Sequence, residues 1–397
     1  SQGRHQGTCP RSLQTEVRPQ VAALTCSEEQ QACNDTCQFD PGPTQRERHQ
    51  SQGGQAPLAT HRVEQDRERQ PDRPRTEHDK SEQCHTRDRG YASQERPSDG
   101  SDSSLGAVDV VRLTGTIGAR IDGVDLKTDI SPATIADIRA ALVRHRVIFF
   151  RDQHLSPTEQ VAFGRMFGEL TPAHPLVGGL DDAHPEVLVL DSLDYNLGVG
   201  DRGTTNGKST SYNNRWHTDV TFSETPPLAS ILSARKIPSY GGDTLWADLI
   251  DAYNTLPGQL RDMLDGLYAI HDSSGTFNRF RDEDKTGENR QKLSNLAPVR
   301  HPVVRVHPES GEKGLFVNPT FTAYIEGFGI DLSRALLQML YEHTVQPERV
   351  VRWVWQEGDV AMWDNRSTSH YAAADYTEPR LMHRITVRGD RPYGLRG

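Results

Sequence analysis

Apolar residues are distributed unevenly along this chain of 397 residues, and their distribution limits where a folded core can form. Residues 1–104 consist mainly of Gln, Arg, Glu, Asp, Ser, Thr and Pro and contain almost no apolar runs. A segment of this composition cannot bury enough apolar surface to offset the entropy that is lost when a chain becomes ordered. We therefore predict a disordered, low-complexity tail over residues 1–104 and a folded domain over residues 105–397.

The cysteines all lie in that tail, at Cys9, Cys26, Cys33, Cys37 and Cys84. Cys33 and Cys37, with Cys26 upstream, faintly resemble a metal or disulfide site, but their spacing fits no strong zinc signature. Incidental cysteines are the favoured interpretation. The predicted folded domain has none, so it needs no disulfide and is compatible with a reducing cytoplasm.

The chain shows no apolar run near the roughly 20 residues of a membrane helix and no signal-peptide pattern at its start. We therefore expect a cytoplasmic protein without membrane contact. The formal net charge of −10 and the lack of a concentrated basic segment argue against nucleic acid as a partner. We expect a small-molecule partner and a homo-oligomer, either a dimer or a tetramer.

Short strand patterns alternate with a few helical patterns through the folded part. Ser131 and Pro132 suit the start of a helix, and Ser156 with Glu159 forms a capping box for a second helix that ends near Phe167. Further strand patterns lie at 109–113, 118–124, 147–150, 186–191, 229–234, 244–247, 268–271, 350–355, 359–363 and 381–387, and helical turns at 248–256 and 257–267. This arrangement predicts an α+β fold with a double-stranded β-helix (jelly roll) core and flanking helices.

His217, Asp219 and His370 offer two imidazoles and one carboxylate, which is the ligand set of the facial triad in non-haem iron(II) oxygenases. Residues i and i+2 of a strand point to the same side, so a strand would direct both His217 and Asp219 toward one ion. An isolated His-x-Asp pair is weak evidence, because most such pairs are surface polar pairs or core histidines. The Gly-, Asn-, Ser- and Thr-rich segment 195–215 before the pair predicts either a lid over the site or a plain insertion.

The sequence around these three residues matches a known family. The matching stretches, in the family's order, are 216–227 (WHTDVTFSETPP), 241–246 (GGDTLW), 301–311 (HPVVRVHPESG), 358–365 (GDVAMWDN) and the segment from His370 through Arg384 to Pro392. On these motifs the chain from about Val108 to its end resembles the taurine dioxygenase family of iron(II)- and 2-oxoglutarate-dependent oxygenases. The resemblance implies a double-stranded β-helix, a catalytic iron(II) ion, and 2-oxoglutarate and O2 as co-substrates.

The resemblance also implies roles for individual residues. His217, Asp219 and His370 match the iron ligands, and Thr244 and Arg380 match the residues that hold the distal carboxylate of 2-oxoglutarate. A guanidinium suits that task because it pairs with a carboxylate through two charge-assisted hydrogen bonds. The substrate-binding positions of the family match His174, Asn213, Phe277, Phe316 and Arg384, of which His174 and Arg384 would hold a sulfonate or sulfate.

Arg384 lies four residues beyond Arg380, so a strand would direct both guanidinium groups to the same face. With no carboxylate between them, two such cations repel unless anions neutralise them, which favours a site for two anions. The alternative is that one arginine serves a structural ion pair, for example with Asp375 or Glu378.

One departure from the family concerns the substrate. Taurine enzymes carry a tyrosine three residues after the histidine that corresponds to His174, whereas this chain has Val177, which removes a polar contact and enlarges the pocket. The alkylsulfatases of the family lack a run corresponding to 315–318 (LFVN) of this chain. By that resemblance, the run favours a sulfonate over a sulfate ester. We therefore expect hydroxylation of a small organosulfonate, taurine or a relative, at the carbon bearing sulfur, with release of sulfite and an aldehyde alongside succinate and CO2. The alternatives are an alkylsulfatase of the same family, a jelly-roll binding protein without turnover, and a zinc hydrolase.

Overall fold

The computed structural model describes residues 108–174, 177–192, 214–277, 292 and 296–395. The predicted tail, Asn213 and residues 195–213 of the predicted lid lie outside the described residues. The described helices are α1 (Pro132–His145), α2 (Pro157–Arg165), α3 (Leu249–Asn254), α4 (Gly258–Leu264) and α5 (Ile330–Thr344), followed by a 3-10 turn at Pro347–Arg349. The described strands are β1 (Asp109–Arg112), β2 (Ala119–Asp122), β3 (Val147–Phe150), β4 (Leu188–Asp191), β5 (Ala229–Lys236), β6 (Thr244–Asp248), β7 (Tyr268–His271), β8 (Val299–Pro302), β9 (Val304–Val306), β10 (Lys313–Leu315), β11 (Thr322–Ile325), β12 (Val350–Trp353), β13 (Val360–Asp364), β14 (Thr368–Ala372) and β15 (Leu381–Val387).

Seven of the described strands form one large sheet in the order β1-β2-β3-β13-β5-β15-β4, which is antiparallel except for the β2–β3 pair. Strand β3 illustrates how both faces of this sheet are covered. Ile148 and Phe150 point toward the helices and pack in a cluster that includes Ile138 of α1. Val147 and Phe149 point to the opposite face and join a second apolar cluster. Because successive residues of a strand face opposite sides, a strand covered on both faces is apolar at every position.

The second apolar cluster fills the space between the large sheet and a smaller sheet in the order β12-β6-β14. Its centre is aromatic. Phe149 stacks on Trp353 with ring centroids 4.1 Å apart, and Trp246 contacts the rings of both Phe149 and Trp363. Aromatic pairs of this kind add packing energy beyond the area that they bury. They join β3 and β13 of the large sheet to β12 and β6 of the small sheet, and β6 pairs in turn with β14, which carries His370.

A third sheet, in the order β11-β7-β8, packs with α3, α4 and α5 around another apolar cluster. The helix α5 was not predicted from the sequence, although it is amphipathic, with Leu337 and Leu340 buried and Leu332 exposed. Strands β9 and β10 form a separate antiparallel pair. The third sheet and its helices complete the folded part that the structure describes.

The predicted mixture of helices and sheets is confirmed, and so are both predicted helix starts. The Ser131 hydroxyl accepts a hydrogen bond from the Thr134 backbone N–H, and Ser156 forms the reciprocal bonds of a capping box with Glu159. Helix α2 ends at Arg165, slightly before the predicted end at Phe167. Strands β8, β9, β10, β11 and β14 were not predicted. No described helix is long and apolar enough to cross a membrane.

Candidate active site

His217 and His370 face each other across a single antiparallel bridge. The His217 N–H donates to the His370 carbonyl at 2.9 Å, and the His370 N–H donates back to the His217 carbonyl at 2.7 Å. Asp219 completes the group, and one ligand atom from each of the three buried residues lies within 4.8 Å of the others. Imidazole nitrogens and a carboxylate oxygen are the ligands typical of non-haem iron(II), whereas thiolate ligands are typical of zinc. The donor set therefore fits a non-haem iron ion.

The prediction that a strand directs His217 and Asp219 to one side was wrong. His217 forms an isolated bridge, Asp219 begins a turn, and Val220 has a φ of 55° in the left-handed region. A β-branched residue in this region is strained, and such strain persists only where the surroundings hold the backbone firmly. The chain thus reverses directly after the ligand, and tertiary contacts rather than strand geometry aim its carboxylate.

Two buried amides hold this turn. Asn365 accepts a hydrogen bond from the Asp219 N–H at 2.9 Å and donates to the Asp219 carbonyl at 3.0 Å, so it clamps the ligand's backbone at two points. Further along, Asn318 donates to the Thr221 hydroxyl at 3.1 Å, and His271 Nδ1 lies 3.0 Å from the same oxygen. These bonds fix the residues on both sides of Val220.

The two oxygens of the Asp219 carboxylate have different surroundings. Oδ1 lies 4.0 Å from His217 Nε2 and 3.8 Å from His370 Nε2, and it accepts a hydrogen bond from Arg384 Nη1 at 2.6 Å. Oδ2 accepts a hydrogen bond from the Ser230 hydroxyl at 2.7 Å. Burial by itself raises the pKa of Asp219, but Arg384 and the two imidazoles together hold that pKa well below its ordinary value. The carboxylate is therefore ionised, as a metal ligand must be.

The two histidines are neutral in the folded protein. Burial lowers the pKa of His217, and burial followed by the neighbouring His217 lowers the pKa of His370 well below its ordinary value. His217 Nδ1 lies 2.8 Å from the Arg215 carbonyl, which can only accept a hydrogen bond. That contact assigns the proton to Nδ1 and leaves the Nε2 lone pair directed toward Asp219.

Arg384 lies on β15 and forms a buried ion pair with Asp219. Arg384 therefore has a protein carboxylate as its partner, which is the ion-pair alternative, although the partner is Asp219 rather than Asp375 or Glu378. The alternative partners are engaged elsewhere: Asp375 pairs with Arg352 at 3.2 Å, and Glu378 accepts hydrogen bonds from Ser239. Arg384 is thus held at the edge of the three-residue group.

Arg380 directly precedes β15 and meets the glycine turn that leads into β6. Its Nε donates to the Gly242 carbonyl at 3.0 Å. Thr244 begins β6, and its hydroxyl accepts a hydrogen bond from the Trp355 indole at 3.0 Å. The Gly242 contact thus holds Arg380 near the start of β6, where Thr244 lies, and the joint binding of a carboxylate by these two residues stays a prediction.

His174 lies close to Arg384 and to an apolar cluster. Burial and, after it, the nearby Arg384 charge lower the pKa of His174 to about 3, so its imidazole is neutral. Its ring meets Phe277 edge-on with centroids 5.6 Å apart. The cluster comprises Ala173, Leu188, Phe222, Phe277 and Phe321, with Val177, Leu190, Val220 and Leu296 packed against it. Phe316 differs from the other predicted substrate residues, since its ring contacts are with His271 and His301.

Several residues of this site were missed by sequence reasoning. Asn365 ends a matched stretch, so its importance could have been inferred, but its bonds to Asp219 span 146 positions. The Ser230 bond to Asp219 and the Trp355 bond to Thr244 leave no local signal, because each joins residues that sequence spacing does not relate.

Comparison with known proteins gives the site its family context. A sequence model of the taurine catabolism dioxygenase TauD, TfdA family matches residues 109–386. The chain belongs to this family. It is a 2-oxoglutarate-dependent dioxygenase with iron(II) as its metal and O2 as its second co-substrate.

Three of the curated relatives are named for sulfur compounds, whereas others at 31–32% identity are named for phenoxyalkanoates. An α-ketoglutarate-dependent sulfate ester dioxygenase of Pseudomonas putida is 42% identical over 296 residues, covering 73% of this chain and 92% of the relative. An alkylsulfatase of Acinetobacter baylyi is 38% identical, covering 72% of this chain and 86% of the relative. An α-ketoglutarate-dependent sulfonate dioxygenase of Saccharomyces cerevisiae is 32% identical, covering 73% and 69%.

Solved structures give the same family. A taurine dioxygenase from Burkholderia xenovorans is 40% identical with a TM-score of 0.61, covering 73% of this chain and 92% of that protein. The enzyme AAD-2, solved in complex with Mn(II) and N-oxalylglycine, is 27% identical with a TM-score of 0.57, covering 72% and 98%.

Proposed function

We propose that this dioxygenase oxidises a small organosulfur anion, with alkyl sulfate esters ranked ahead of sulfonates. The observation that carries the proposal is the buried Arg384 guanidinium, which contacts the ligand Asp219 and lies near the neutral His174 and an apolar cluster. A cation at this position can bind the anionic end of a substrate, while the apolar side chains can contact its carbon chain.

This ranking of sulfate esters ahead of sulfonates differs from the sulfonate substrate that the sequence predicted. The LFVN run favoured a sulfonate because the family's alkylsulfatases lack it, but its Phe316 ring packs against His271 and His301. The relatives at 42% and 38% identity are a sulfate ester dioxygenase and an alkylsulfatase. Val177 belongs to the apolar surroundings of Phe277. An apolar wall discriminates weakly among alkyl chains and offers nothing to the ammonium group of taurine.

We assign His217 Nε2, Asp219 Oδ1 and His370 Nε2 as the iron ligands. When bound, iron(II) activates O2 while 2-oxoglutarate is decarboxylated to succinate and CO2, and a substrate C–H bond is hydroxylated. Arg380 and Thr244 hold the distal carboxylate of 2-oxoglutarate, and the Gly242 carbonyl fixes the Arg380 side chain for this task. A guanidinium held in place loses less entropy when it binds a carboxylate.

Arg384 and His174 hold the sulfur oxyanion. A guanidinium has five N–H donors, so Arg384 can bond to Asp219 and to a substrate oxygen at once. His174 contributes a neutral N–H donor, because its pKa lies far below neutral pH. Clamping the anionic end positions the adjacent C–H bond next to the metal, which is the protein's main contribution to the rate.

The products distinguish the two substrate classes. Hydroxylation of the carbon that bears the ester oxygen of an alkyl sulfate gives an unstable hydroxy ester, which breaks its C–O bond to yield an aldehyde and sulfate. Hydroxylation of the carbon that bears a sulfonate breaks the C–S bond instead and yields an aldehyde and sulfite. Succinate and CO2 form in both reactions.

The wider organisation is part of the same proposal. The facing large and small sheets are the two halves of the family's double-stranded β-helix, and residues 105–397 make up the catalytic domain. A lid at 195–215, a cytoplasmic location and a dimeric or tetrameric assembly remain predictions from the sequence.

A matched substrate panel tests the proposal. Hexyl sulfate, hexanesulfonate and taurine are each incubated with the protein, iron(II), 2-oxoglutarate and O2, and succinate, sulfate and sulfite are measured. We expect substrate-dependent succinate and equimolar sulfate from hexyl sulfate, less sulfite from hexanesulfonate, and least turnover with taurine. A His217→Ala control should form none of these products. If no sulfur compound raises succinate above the substrate-free background, the substrate assignment is wrong.

A further inference from the structure

The Asp219 carboxylate is held by a serine that no motif singled out. Ser230 Oγ lies 2.7 Å from Asp219 Oδ2, on the opposite side of the carboxylate from the two histidine nitrogens. An ionised carboxylate can only accept hydrogen bonds, so the serine hydroxyl is the donor. Oδ1 is the oxygen nearest the two histidine nitrogens and also accepts the hydrogen bond from Arg384, whereas Oδ2 is bonded to Ser230.

Ser230 is held in a rigid position. It lies on β5 at the centre of the large sheet, where it pairs with Trp363 of β13 on one side and Thr386 of β15 on the other. Its side chain is fully buried, so water does not compete for its hydroxyl. A residue on a paired central strand positions a ligand more accurately than a residue on a loop does. This matters because Asp219 itself lies in a turn.

We propose that Ser230 is a positioning residue that makes Asp219 a one-oxygen metal ligand. With Oδ2 bonded to Ser230, Oδ1 would be the oxygen that Asp219 offers to an ion held by the three residues, and a single-oxygen contact would leave room for 2-oxoglutarate and O2. Without that bond, the carboxylate can rotate about its own axis or bind through both oxygens. This inference rests on the proposed assignment of His217, Asp219 and His370 as iron ligands.

The same strand provides a matched control. Ser233 is also fully buried on β5, but its hydroxyl has no hydrogen-bond partner among the residues that the structure describes. Ser233→Ala therefore removes the same atom from the same strand without touching Asp219. A purely structural role for Ser230 predicts that Ser230→Ala lowers thermal stability, because a buried hydrogen bond is lost, while the metal affinity of both variants stays that of the wild type.

The experiment measures metal binding rather than turnover. Mn(II) is titrated into the full-length protein without O2, free Mn(II) is followed by electron paramagnetic resonance, and the melting temperature of the metal-free protein is recorded for each variant. Loss of a side chain that orients a metal ligand typically weakens metal affinity about 10- to 100-fold. We expect a loss of that size for Ser230→Ala, wild-type affinity within twofold for Ser233→Ala, and partial recovery for Ser230→Thr, which keeps the hydroxyl.

The His217→Ala variant distinguishes a wrong ligand assignment from a wrong role for Ser230. If it binds Mn(II) as tightly as the wild type, the ion does not bind at the assigned ligands, and both the ligand assignment and the role of Ser230 are overturned. If His217→Ala loses binding while Ser230→Ala stays within twofold of wild type, only the positioning role is overturned. A Ser230→Thr variant that fails to fold does not affect this outcome, because the comparison of Ser230→Ala with Ser233→Ala decides it.

Discussion

Arg380 and Arg384 lie four residues apart and have different partners. Arg384 contacts the ligand carboxylate of Asp219, whereas Arg380 contacts the Gly242 carbonyl beside Thr244. Each guanidinium is buried, so its charge is weakly screened and depends on a bound or protein anion. Because their surroundings differ, we expect the two arginines to bind different anions.

Replacing each arginine with lysine should separate these tasks. Lysine keeps the charge but loses the planar fork, and loss of a charge-assisted hydrogen bond costs about 1.5–3 kcal/mol, or about 10- to 100-fold in affinity. We expect Arg384→Lys to raise the KM for the sulfur substrate by this factor while the 2-oxoglutarate Kd changes less than about threefold, and Arg380→Lys to do the reverse. Calorimetry on the Mn(II)-loaded protein measures 2-oxoglutarate binding. Equal effects of both variants on both ligands would contradict the assignment.

At the residue scale, the sequence predicted the chemical type of the site residues better than it predicted their backbone geometry. The types and spacing of His217, Asp219 and His370 suggested a metal site because their flanking motifs restricted the alternatives. The strand geometry assumed for Asp219 was wrong, since the contact that clamps its backbone comes from Asn365, 146 positions away. Periodicity describes local conformation only, and a turn held by distant side chains leaves no periodic signal.

At the scale of elements, the turn before β6 places its backbone close to the co-substrate arginine. Gly242 has a φ of 72°, and a Cβ added there would meet the Arg380 Cδ at 3.1 Å and Tyr376 and Pro238 at 3.2 Å. Gly123 has a similar φ of 77°, but no atom lies within 4 Å of its added Cβ. The two glycines therefore share the backbone requirement and differ in their neighbours.

Gly242→Ala and Gly123→Ala make a matched pair. Both should lower the free energy of unfolding by about 1–2 kcal/mol, because an L-residue is strained in the left-handed region. Only Gly242→Ala should displace Arg380, and a misplacement of this kind can weaken 2-oxoglutarate binding about tenfold or more. Urea unfolding and calorimetry measure the two effects. Unchanged 2-oxoglutarate affinity in Gly242→Ala would show that the turn does not position Arg380.

The elements that were predicted correctly are those with local start signals. Ser131 and Ser156 cap α1 and α2 with their own side chains, so the sequence alone indicates where these helices begin. Helix α5 was missed because its N-cap is Gly329, which forms no side-chain capping bond. Its stability comes from packing Leu337 and Leu340 into the cluster with the third sheet, which is a tertiary effect.

At the scale of the whole molecule, the family match begins just after the composition change near residue 104. The match spans residues 109–386, and the Pseudomonas putida relative is covered over 92% of its length by 73% of this chain. The boundary between residues 104 and 105 itself stays a prediction. Composition can predict such a boundary because a segment with few apolar residues cannot form a core, whichever residues would contact each other.

The whole molecule also contains an unusual set of buried neutral histidines. Burial lowers the pKa of His271 well below its ordinary value and, with smaller effects of nearby charges, lowers the pKa of His174 to about 3 and the pKa values of His301 and His383 to about 4. In the unfolded chain these groups titrate near 6.5. Below that pH the unfolded chain binds protons that the folded protein cannot accept, so acid favours unfolding.

We therefore expect the free energy of unfolding of the metal-free protein to fall steeply as the pH is lowered from 7 to 5. Each such histidine contributes a slope that rises from about 0.7 kcal/mol per pH unit at pH 6.5, where half of the unfolded imidazoles are protonated, toward about 1.4 kcal/mol per pH unit near pH 5.5. Asp248 opposes them, because burial raises its pKa to about 6 and its folded carboxyl takes up a proton first. These five groups together lower the free energy of unfolding by about 3 kcal/mol between pH 6.5 and 5.5. His217 and His370, whose pKa values are also lowered, add to this loss in the metal-free protein.

Urea unfolding with a chelator present, at pH 7.5, 6.5 and 5.5, measures this slope, and His383→Gln provides the control. His383 lies on β15 away from the assigned ligands, and burial together with Arg235 keeps its imidazole neutral. Removing it should reduce the change in stability between pH 6.5 and 5.5 by about 1 kcal/mol and affect the stability at pH 7.5 less. A slope that His383→Gln does not change would mean that His383 gains a proton in the folded protein. A flat slope would mean this for the whole set of imidazoles. Since neutral His174 is assigned as a hydrogen-bond donor to the substrate, a flat slope would also require an imidazolium in the oxyanion site.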